Sequence, residues 1–457
     1  MLIRMKPICL ALAGLLLCTP AWAIDLVGVH DLALKNDPRL QAAASRLEAT
    51  RENKSIARAN LLPQIGASGN WTRGNTETDI TGNDEIAGDF KVSSESDIDT
   101  TNYRADLRQS LYRQGNYEAL DVARGQISQA EAIYEIAYQD FLLRVAERYF
   151  LVLTLTDGVT FAEAEEKAFQ RQYEQAEQRF EVGLTAVTDV HEARATYDNA
   201  RARAIVARND LADAKEALRE LTGQYFEQYD ALQEVLPLVE PDPVSAEQWV
   251  EIALQSNPAV LSSRAAFEVA EANVRLARSG HFPTLDLVAS YNRFIDNERN
   301  FRFNLASPPT IAKLENNDTQ IGLVLDIPLY QGGRVSAQTR QAGYLMDATG
   351  QDLDDVQRGV VRQTQTAFRA VIAGIQEVEA FEQARISAES ALEATQAGFE
   401  VGTRTIVDVL IAEQRKYQAQ RDNSVARHAY IIRHLRLKSV AGLLGAEDLG
   451  VVNQLLE

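Results

Sequence analysis

Four stretches of the chain alternate between apolar and polar positions. In the first, Ile65, Ala67, Gly69 and Trp71 share one face, with Gln64, Ser68, Asn70 and Thr72 on the other. In the second, Tyr103, Ala105, Leu107 and Leu111 alternate with Asn102, Arg104, Asp106, Arg108 and Ser110. Leu285, Leu287, Ala289 and Tyr291 repeat the pattern against Thr284, Asp286, Ser290 and Asn292. So do Ile321, Leu323, Leu325, Ile327 and Leu329 against Gln320, Gly322, Asp326 and Pro328, with Val324 out of phase. A period of two over about ten residues predicts strands with one wet and one apolar face. One such strand suits a soluble sandwich. Four, paired as hairpins over 64–112 and 284–330, favour a membrane β-barrel. Parity then turns Tyr103, Leu107, Leu287, Leu323 and Leu325 toward lipid, and Arg104, Arg108 and Asp326 toward the lumen. Between the strands, Glu77–Thr100 holds eight acids and one Lys, and Asn297–Asp318 contains Pro308-Pro309. Both segments read as long polar loops.

Elsewhere the pattern is helical. Segments rich in Ala, Glu, Arg and Leu, roughly Ile24–Leu62 and Ser245–Phe282, lead into the hairpins and end at Pro63 and Pro283. After each hairpin, helical sequence runs to Gly183 and to Gly402. Each run has about 67 residues, roughly 100 Å at 1.5 Å per residue, far more than the roughly 30 Å of a membrane core. Val356, Val360, Ala367, Val371, Ile375 and Val378 recur at three, four or seven residues, a narrow packing seam interrupted by polar residues and Gly374. Return helices of about half that length follow, from about Ala186 to Leu221 and from Thr405 to Val440. Return helix and hairpin-leading helix, stacked end to end, match one outgoing helix, which gives four helical columns per chain.

The same layout occurs twice. Asp37-Pro38 recurs as Asn257-Pro258 and Leu62-Pro63 as Phe282-Pro283, both 220 residues on; FEVGLTAVTDV from Phe180 recurs as FEVGTRTIVDV from Phe399, 219 residues on. The chain therefore divides into a first repeat over 24–223, a linker over 224–244, a second repeat over 245–442 and a C-terminal segment over 443–457, with tips near 183 and 402. Four strands do not close a barrel, which needs about eight. Counting alone admits two or three copies; the helical columns favour three, with twelve strands and twelve columns around a water-filled bore.

Composition narrows the setting. Residues 1–23 read as an export leader: Arg4 and Lys6, an apolar run from Ile8 to Leu17, then Ala21-Trp22-Ala23 as a cleavage site. Cys18 follows Leu17, where a lipoprotein signal wants a small residue, so plain cleavage after Ala23 is expected. Cys9 and Cys18 are the only cysteines, so the mature chain has no disulfide. Losing the leader's two basic residues moves the formal net charge from −19 to −21. That excludes nucleic acid as a natural partner and suits a carboxylate-lined lumen. The histidines His30, His191, His281, His428 and His434 are scattered, and no metal-binding or phosphate-binding motif is present. Neither an enzyme nor a cofactor or metal site is expected.

EVGLTAVTDV (Glu181–Val190) and EVGTRTIVDVL (Glu400–Leu410) resemble the two hairpin tips of the TolC-type outer membrane efflux and secretion channels. Leu62-Pro63, Phe282-Pro283-Thr284-Leu285 and IPLYQGG (Ile327–Gly333) match as well. The resemblance covers nearly all of the mature chain. It implies a homotrimer whose β-barrel contacts outer-membrane lipid and whose coiled-coil helical barrel crosses the periplasm. It implies an exit duct for type I protein secretion or drug efflux, docked to a periplasmic adaptor and an inner-membrane transporter of ABC or RND type. It also implies a periplasmic gate at Thr188, Asp189, Arg404 and Asp408, the Arg linking the second hairpin to the Asp of the first. Adaptor docking falls on the tips Gly183, Leu184, Thr185, Gly402, Thr403 and Arg404. The sequence departs from the family pattern at Ile411, where a second inward Asp is expected, and at Phe399, where a Tyr would add a hydroxyl. No long polar tail follows Glu457.

Plainer readings stand beside these. Gly183 and Gly402 suit helix ends. Thr405-x-x-Asp408 suits a capping box, whereas Asp189 has Ala186 at the capping position. A trimeric envelope spacer with a barrel anchor and no transport role is the rival function; it would need no Arg–Asp latch.

Overall fold

The computed structural model describes residues 23–84, 88–301 and 310–457. The leader up to Trp22, with Cys9 and Cys18, and Pro308-Pro309 lie outside the described residues. Six elements occur in one order and then again. α1 (Leu26–Asn36), α2 (Pro38–Ala59), β1 (Gln64–Asp84), β2 (Gly88–Arg113), α3 (Gln114–Glu181) and α4 (Val187–Thr222) are followed by α5 (Ala246–Ser256), α6 (Pro258–Ser279), β3 (Thr284–Phe301), β4 (Thr310–Asp326), α7 (Arg334–Glu400) and α8 (Ile406–Val440). A short α9 (Ala446–Asn453) lies in the C-terminal segment. The chain forms two compact units. One comprises Met1–Leu40, Tyr138–Ala253 and Gln363–Glu457; the other comprises Gln41–Ala137 and Leu254–Arg362.

The second unit carries a single antiparallel sheet in the order β1-β2-β3-β4, so that β1 and β4 are its edges. The cross-strand register puts Ile65, Leu107, Ala289 and Ile321 in one row, and Leu287 opposite Leu323. Ser68, Arg104, Asn292 and Asp318 form a row of the other parity. The expected parity therefore holds across the ladder: Tyr103, Leu107, Leu287, Leu323 and Leu325 share the apolar face, and Arg104, Arg108 and Asp326 the polar one. Ile65, Ile321 and Leu323 are among the most exposed apolar side chains of the chain.

Three expectations for the strands need correction. The segments Glu77–Thr100 and Asn297–Asp318 are mostly strand, because β1 runs on to Asp84, β2 starts at Gly88, and β3 and β4 reach Phe301 and Thr310. Backbone pairing does not require an apolar face, so polar sequence continues the ladder. Second, the 284–330 hairpin stops at Asp326, and Ile327–Tyr330 leave the ladder; Pro328 has no N–H to donate. Third, a register shift between Ser110 and Tyr112 breaks the alternation at Leu111. An extra residue reverses parity beyond it, so Tyr112 joins the apolar row opposite Leu285 and Arg113 the polar row opposite Thr284. Arg113 thereby reaches Asp286. That buried carboxylate accepts from Arg108 Nη2 at 2.5 Å and Arg113 Nη2 at 3.0 Å.

The helical segments 24–62 and 245–282 are each broken once, at the two recurring Pro sites. Pro38 and Pro258 stand first in α2 and α6, where a missing N–H costs nothing. Asp37 accepts from the Arg39 N–H at 2.9 Å. Asn257 accepts from the N–H groups of Ala259 at 2.8 Å and Val260 at 3.3 Å. Within the second unit α6 packs closely on both long helices. A Cβ on Gly125 of α3 would meet Val269 at 2.8 Å, and one on Gly350 of α7 would meet Phe267 at 3.3 Å.

In the first unit the seam on α7 is continuous where sequence showed gaps. Thr364 and Gly374 are buried with Ala367, Val371 and Val378, while Ile375 is only half-buried. Gly374 leaves room for Tyr430 and Arg433 of α8. The buried face of α4 is similarly small over most of its length, at Ala193, Ala200, Ala204 and Ala214, and turns larger only at Leu218 and Leu221. An acidic side chain lies inside the bundle. Glu165 of α3 has no exposed surface; it accepts from Arg203 of α4 at 2.8 Å and from Arg421 of α8 at 3.0 Å. A single carboxylate thus joins helices of both halves.

Both arginines keep some contact with water, at 41% and 30% side-chain exposure. Glu165→Ala leaves two solvated guanidiniums, whereas Arg203→Ala combined with Arg421→Ala strands a buried carboxylate. The double variant should therefore lose the most stability, about 3–5 kcal/mol. Thermal unfolding followed by circular dichroism in detergent ranks the variants; a Glu165→Ala protein weaker than the double Arg variant would contradict the assignment.

Candidate functional site

The two helical hairpins turn through equivalent five-residue segments, 182–186 and 401–405. Gly183 and Gly402 have φ of 76° and 79°, the left-handed conformation that glycine adopts without a Cβ penalty. The chain then doubles back: Leu184 N–H donates to Arg179 O at 2.8 Å, and Thr403 N–H to Gly398 O at 2.9 Å. These six-to-one bonds close both outgoing helices in the same way. Leu184, Thr403 and Arg404 are exposed, and Thr185 is half-buried.

The return helices start differently. Thr405 and Asp408 form a complete capping box: Asp408 N–H donates to Thr405 Oγ1 at 3.2 Å, and Thr405 N–H to Asp408 Oδ2 at 2.9 Å. The hydrogen bonds from Thr405, with Arg404 nearby, hold the Asp408 carboxyl below its ordinary range. Ala186 caps α4 without a side-chain bond, as sequence suggested. Yet Asp189 is not free, because the Thr185 hydroxyl donates to its Oδ2. The partner sits one position ahead of the usual cap, outside the spacing that a capping-box search inspects.

Among the described residues no ion pair joins Arg404 to Asp189 within one chain, and Thr188 is exposed. The structure brings together Thr185 with Asp189, and Thr405 with Asp408 and Arg404, as two separate turns. Ile411 is exposed at 43%. Phe399 does more than lack a hydroxyl: the Arg179 guanidinium lies 4.8 Å from its ring centroid. The ring also packs on a cluster of Phe169, Ala176, Ala193, Ala200, Ile406 and Leu410, which joins both hairpins behind the tips. Sequence reading missed Arg179, whose signal was its place just before the FEVG motif.

A second residue missed by sequence is Glu413 of α8. It is buried, and burial raises its pKa despite Lys416 and Arg171 nearby. His428 is buried beside Phe150, bonds Thr154 Oγ1 at 2.9 Å, and is pushed down to about 4 by burial. His434 stacks edge-on against Tyr430 with ring centroids 5.0 Å apart. Among the described residues no group of three or more His, Cys, Asp or Glu is placed to hold a metal ion. No described helix is long and apolar enough to cross a membrane.

The family model "Outer membrane efflux protein" matches residues 29–224 and again 249–443, one match on each set of six elements. Outer membrane protein TolC of Vibrio cholerae is 37% identical over 98% of this chain and 98% of its own length. The alkaline protease secretion protein AprF of Pseudomonas aeruginosa is 32% identical over 96% of this chain and 88% of its own. Among solved structures, the outer membrane protein VceC from Vibrio cholerae superposes with a TM-score of 0.72 at 20% identity, covering 91% of this chain and 96% of that one.

The two turns respond differently to loss of a hydroxyl. Thr405→Ala removes a backbone cap, a loss of about 1 kcal/mol or about fivefold in local opening. Thr185→Ala removes only a bond to a side chain, so the first-turn amides of α4 should be unaffected. Hydrogen exchange read by mass spectrometry on peptides covering 406–409 and 187–190 separates the two; equal loss of protection would contradict the capping assignment.

Proposed function

Because the chain belongs to the outer membrane efflux protein family, we propose that three copies share one twelve-stranded barrel in the outer membrane and one tunnel of twelve helical columns in the periplasm. The protein is an outer-membrane exit duct, of the kind that serves protein secretion and drug efflux. Channels of this type work with an adaptor and an inner-membrane pump. The observation that carries self-association is the sheet, and the helical columns favour three copies over two. Among the described residues the sheet has four strands, one apolar face, and two edges, β1 and β4, with no further partner strand. Edge peptide groups in hydrocarbon must be paired, and β4 of one copy beside β1 of the next pairs them. Native mass measurement in mild detergent should return three chains per particle; a dimer would overturn this closure.

At the opposite end of each hairpin, the proposed gate sets Arg404 of the second turn against Asp189, with Thr188, of the first turn on a neighbouring copy. The exposed Arg404 side chain, unpaired with Asp189 inside one chain, supports a latch between copies. Such an exposed pair contributes only about 0–1 kcal/mol, weak enough to yield when an adaptor binds. Asp408, repeated around the axis, supplies three carboxylates at the constriction and favours cations.

Arg404→Ala should raise single-channel conductance in planar bilayers; unchanged conductance would sink the latch. Asp408→Asn should weaken cation preference. Because the folded-state pKa of Asp408 is lowered, its charge persists as pH falls through the ordinary carboxylate range. Wild-type selectivity should therefore hold at pH 5; its disappearance there would assign selectivity to another group.

For adaptor docking, the informative substitutions avoid Gly183 and Gly402, where positive φ makes any side chain strained. Leu184→Asp and Thr403→Asp leave the backbone alone and place charge on both exposed tips. Export should fall at least tenfold, about 1.4 kcal/mol of lost docking, while trimer yield is unchanged. Normal export by both variants would make these turns mere helix ends.

A further inference from the structure

Ile24 is the residue that cleavage after Ala23 would expose as a new terminus, and it is already fixed in the fold. It forms a parallel bridge with Tyr229. Its N–H donates to Gln228 O at 3.1 Å, and its carbonyl accepts from Asp230 N–H at 3.3 Å. The same carbonyl accepts from the buried Tyr149 hydroxyl at 3.1 Å, which also reaches Asp230 O at 2.9 Å. Ala23, one residue earlier, lines a cavity of about 400 Å³ whose wall includes Asp157, Glu227, Ser424 and His428.

The charges around this nitrogen are unbalanced. Asp157, which accepts from the Ser424 hydroxyl, and Glu227 line the cavity, and Asp25 and Asp230 flank Ile24. Burial, together with the neighbouring Asp25, raises the pKa of Asp230. Two cations line the same cavity, and neither is ion-paired with Asp157 or Glu227 among the described residues. Lys215 donates to Glu227 O at 3.3 Å and lies over the rings of Tyr225 and Tyr229. Arg427 donates to Gln233 O. His428 is held neutral by burial. Asp25 is occupied by the Gly28 N–H and the Asn453 amide, neither of which carries charge.

We propose that this cavity is the seat of a primary ammonium, and that its occupant is the α-ammonium of Ile24 generated by cleavage after Ala23. One proton keeps the bond to Gln228 O. The others turn into the space that Ala23 vacates, toward the carboxylates that lack a cation. Maturation then does more than remove a leader: it places a positive charge in the fold. The inference rests on the cleavage reading, and the test separates the two.

The protein purified from outer membranes is first sequenced from its N-terminus, where Ile24 is expected; any other first residue removes the occupant and overturns the proposal. The native protein is then treated at neutral pH with succinimidyl acetate, which favours α-amines over lysines because of their lower pKa. Ile24 should acylate at least about tenfold more slowly than in the urea-denatured chain, as its amine is held protonated and enclosed. Equal rates would show a free terminus and overturn the seat while leaving the cleavage site intact. A second variant inserts Gly-Ser between Ala23 and Ile24, so that the mature chain starts two residues early. Its thermal midpoint should fall by several degrees, with the loss reduced in an Asp157→Asn, Glu227→Gln background. An unchanged midpoint would likewise overturn the seat.

Discussion

The constraint on which the rest depends is the pairing of backbone groups at the edges of one sheet. Water satisfies an exposed strand edge; hydrocarbon does not. Among the described residues the sheet consists of β1 to β4 and does not close on itself, so in the proposed barrel membrane insertion and self-association are the same event. The alternating faces follow from that. With Leu107, Leu287 and Leu323 on one parity and Arg104, Arg108 and Asp326 on the other, the polar side chains need an aqueous interior, and a single closed sheet encloses one.

The helical part answers a different demand. Many of its buried positions are small, such as Ala193, Ala200, Ala204 and Gly374, so helices approach closely there, while Phe141, Tyr149, Phe150 and Phe169 fill wider levels. What apolar area is gained per residue is modest, and specificity falls to a few charged or aromatic contacts. Glu165 between Arg203 and Arg421 fixes three helices at one level. The cluster around Phe169 and Phe399 does so near the tips. Beyond that cluster little is buried: Leu184, Thr188 and Arg404 are exposed. The strong contacts lie along the shafts and the weak ones at the ends, as the proposed opening at the tips requires.

Much of this was legible in the sequence because it is periodic. The recurrence of FEVG at Phe180 and Phe399, the period-two strands and the two turn glycines each leave a signal spread over several residues. What escaped reading was local or non-periodic. The bulge between Ser110 and Tyr112 reverses parity with one residue and leaves no compositional trace. The strands beyond Glu77 and Asn297 read as loops because polar residues occupy both faces, although backbone pairing continues through them. Asp189 looked uncapped because its partner, Thr185, sits one position off the expected spacing. Glu165 looked like one more surface acid; only the convergence of Arg203 and Arg421, 38 and 256 residues away, reveals it as interior.

The paired lengths of the long helices carry a consequence for how such a chain can change over generations. The outgoing helices have 68 and 67 residues and the return helices 36 and 35. Both legs of the second hairpin are therefore one residue shorter than those of the first. Removing one residue from a single leg would rotate every side chain beyond it by about 100° and turn its buried stripe away from its neighbour. Removing one from each leg keeps the turn at the same level on both. Insertions and deletions in these helices therefore best preserve the packing as near-whole turns taken in both legs together, so length here drifts in coordinated steps, while individual exposed positions remain free to vary.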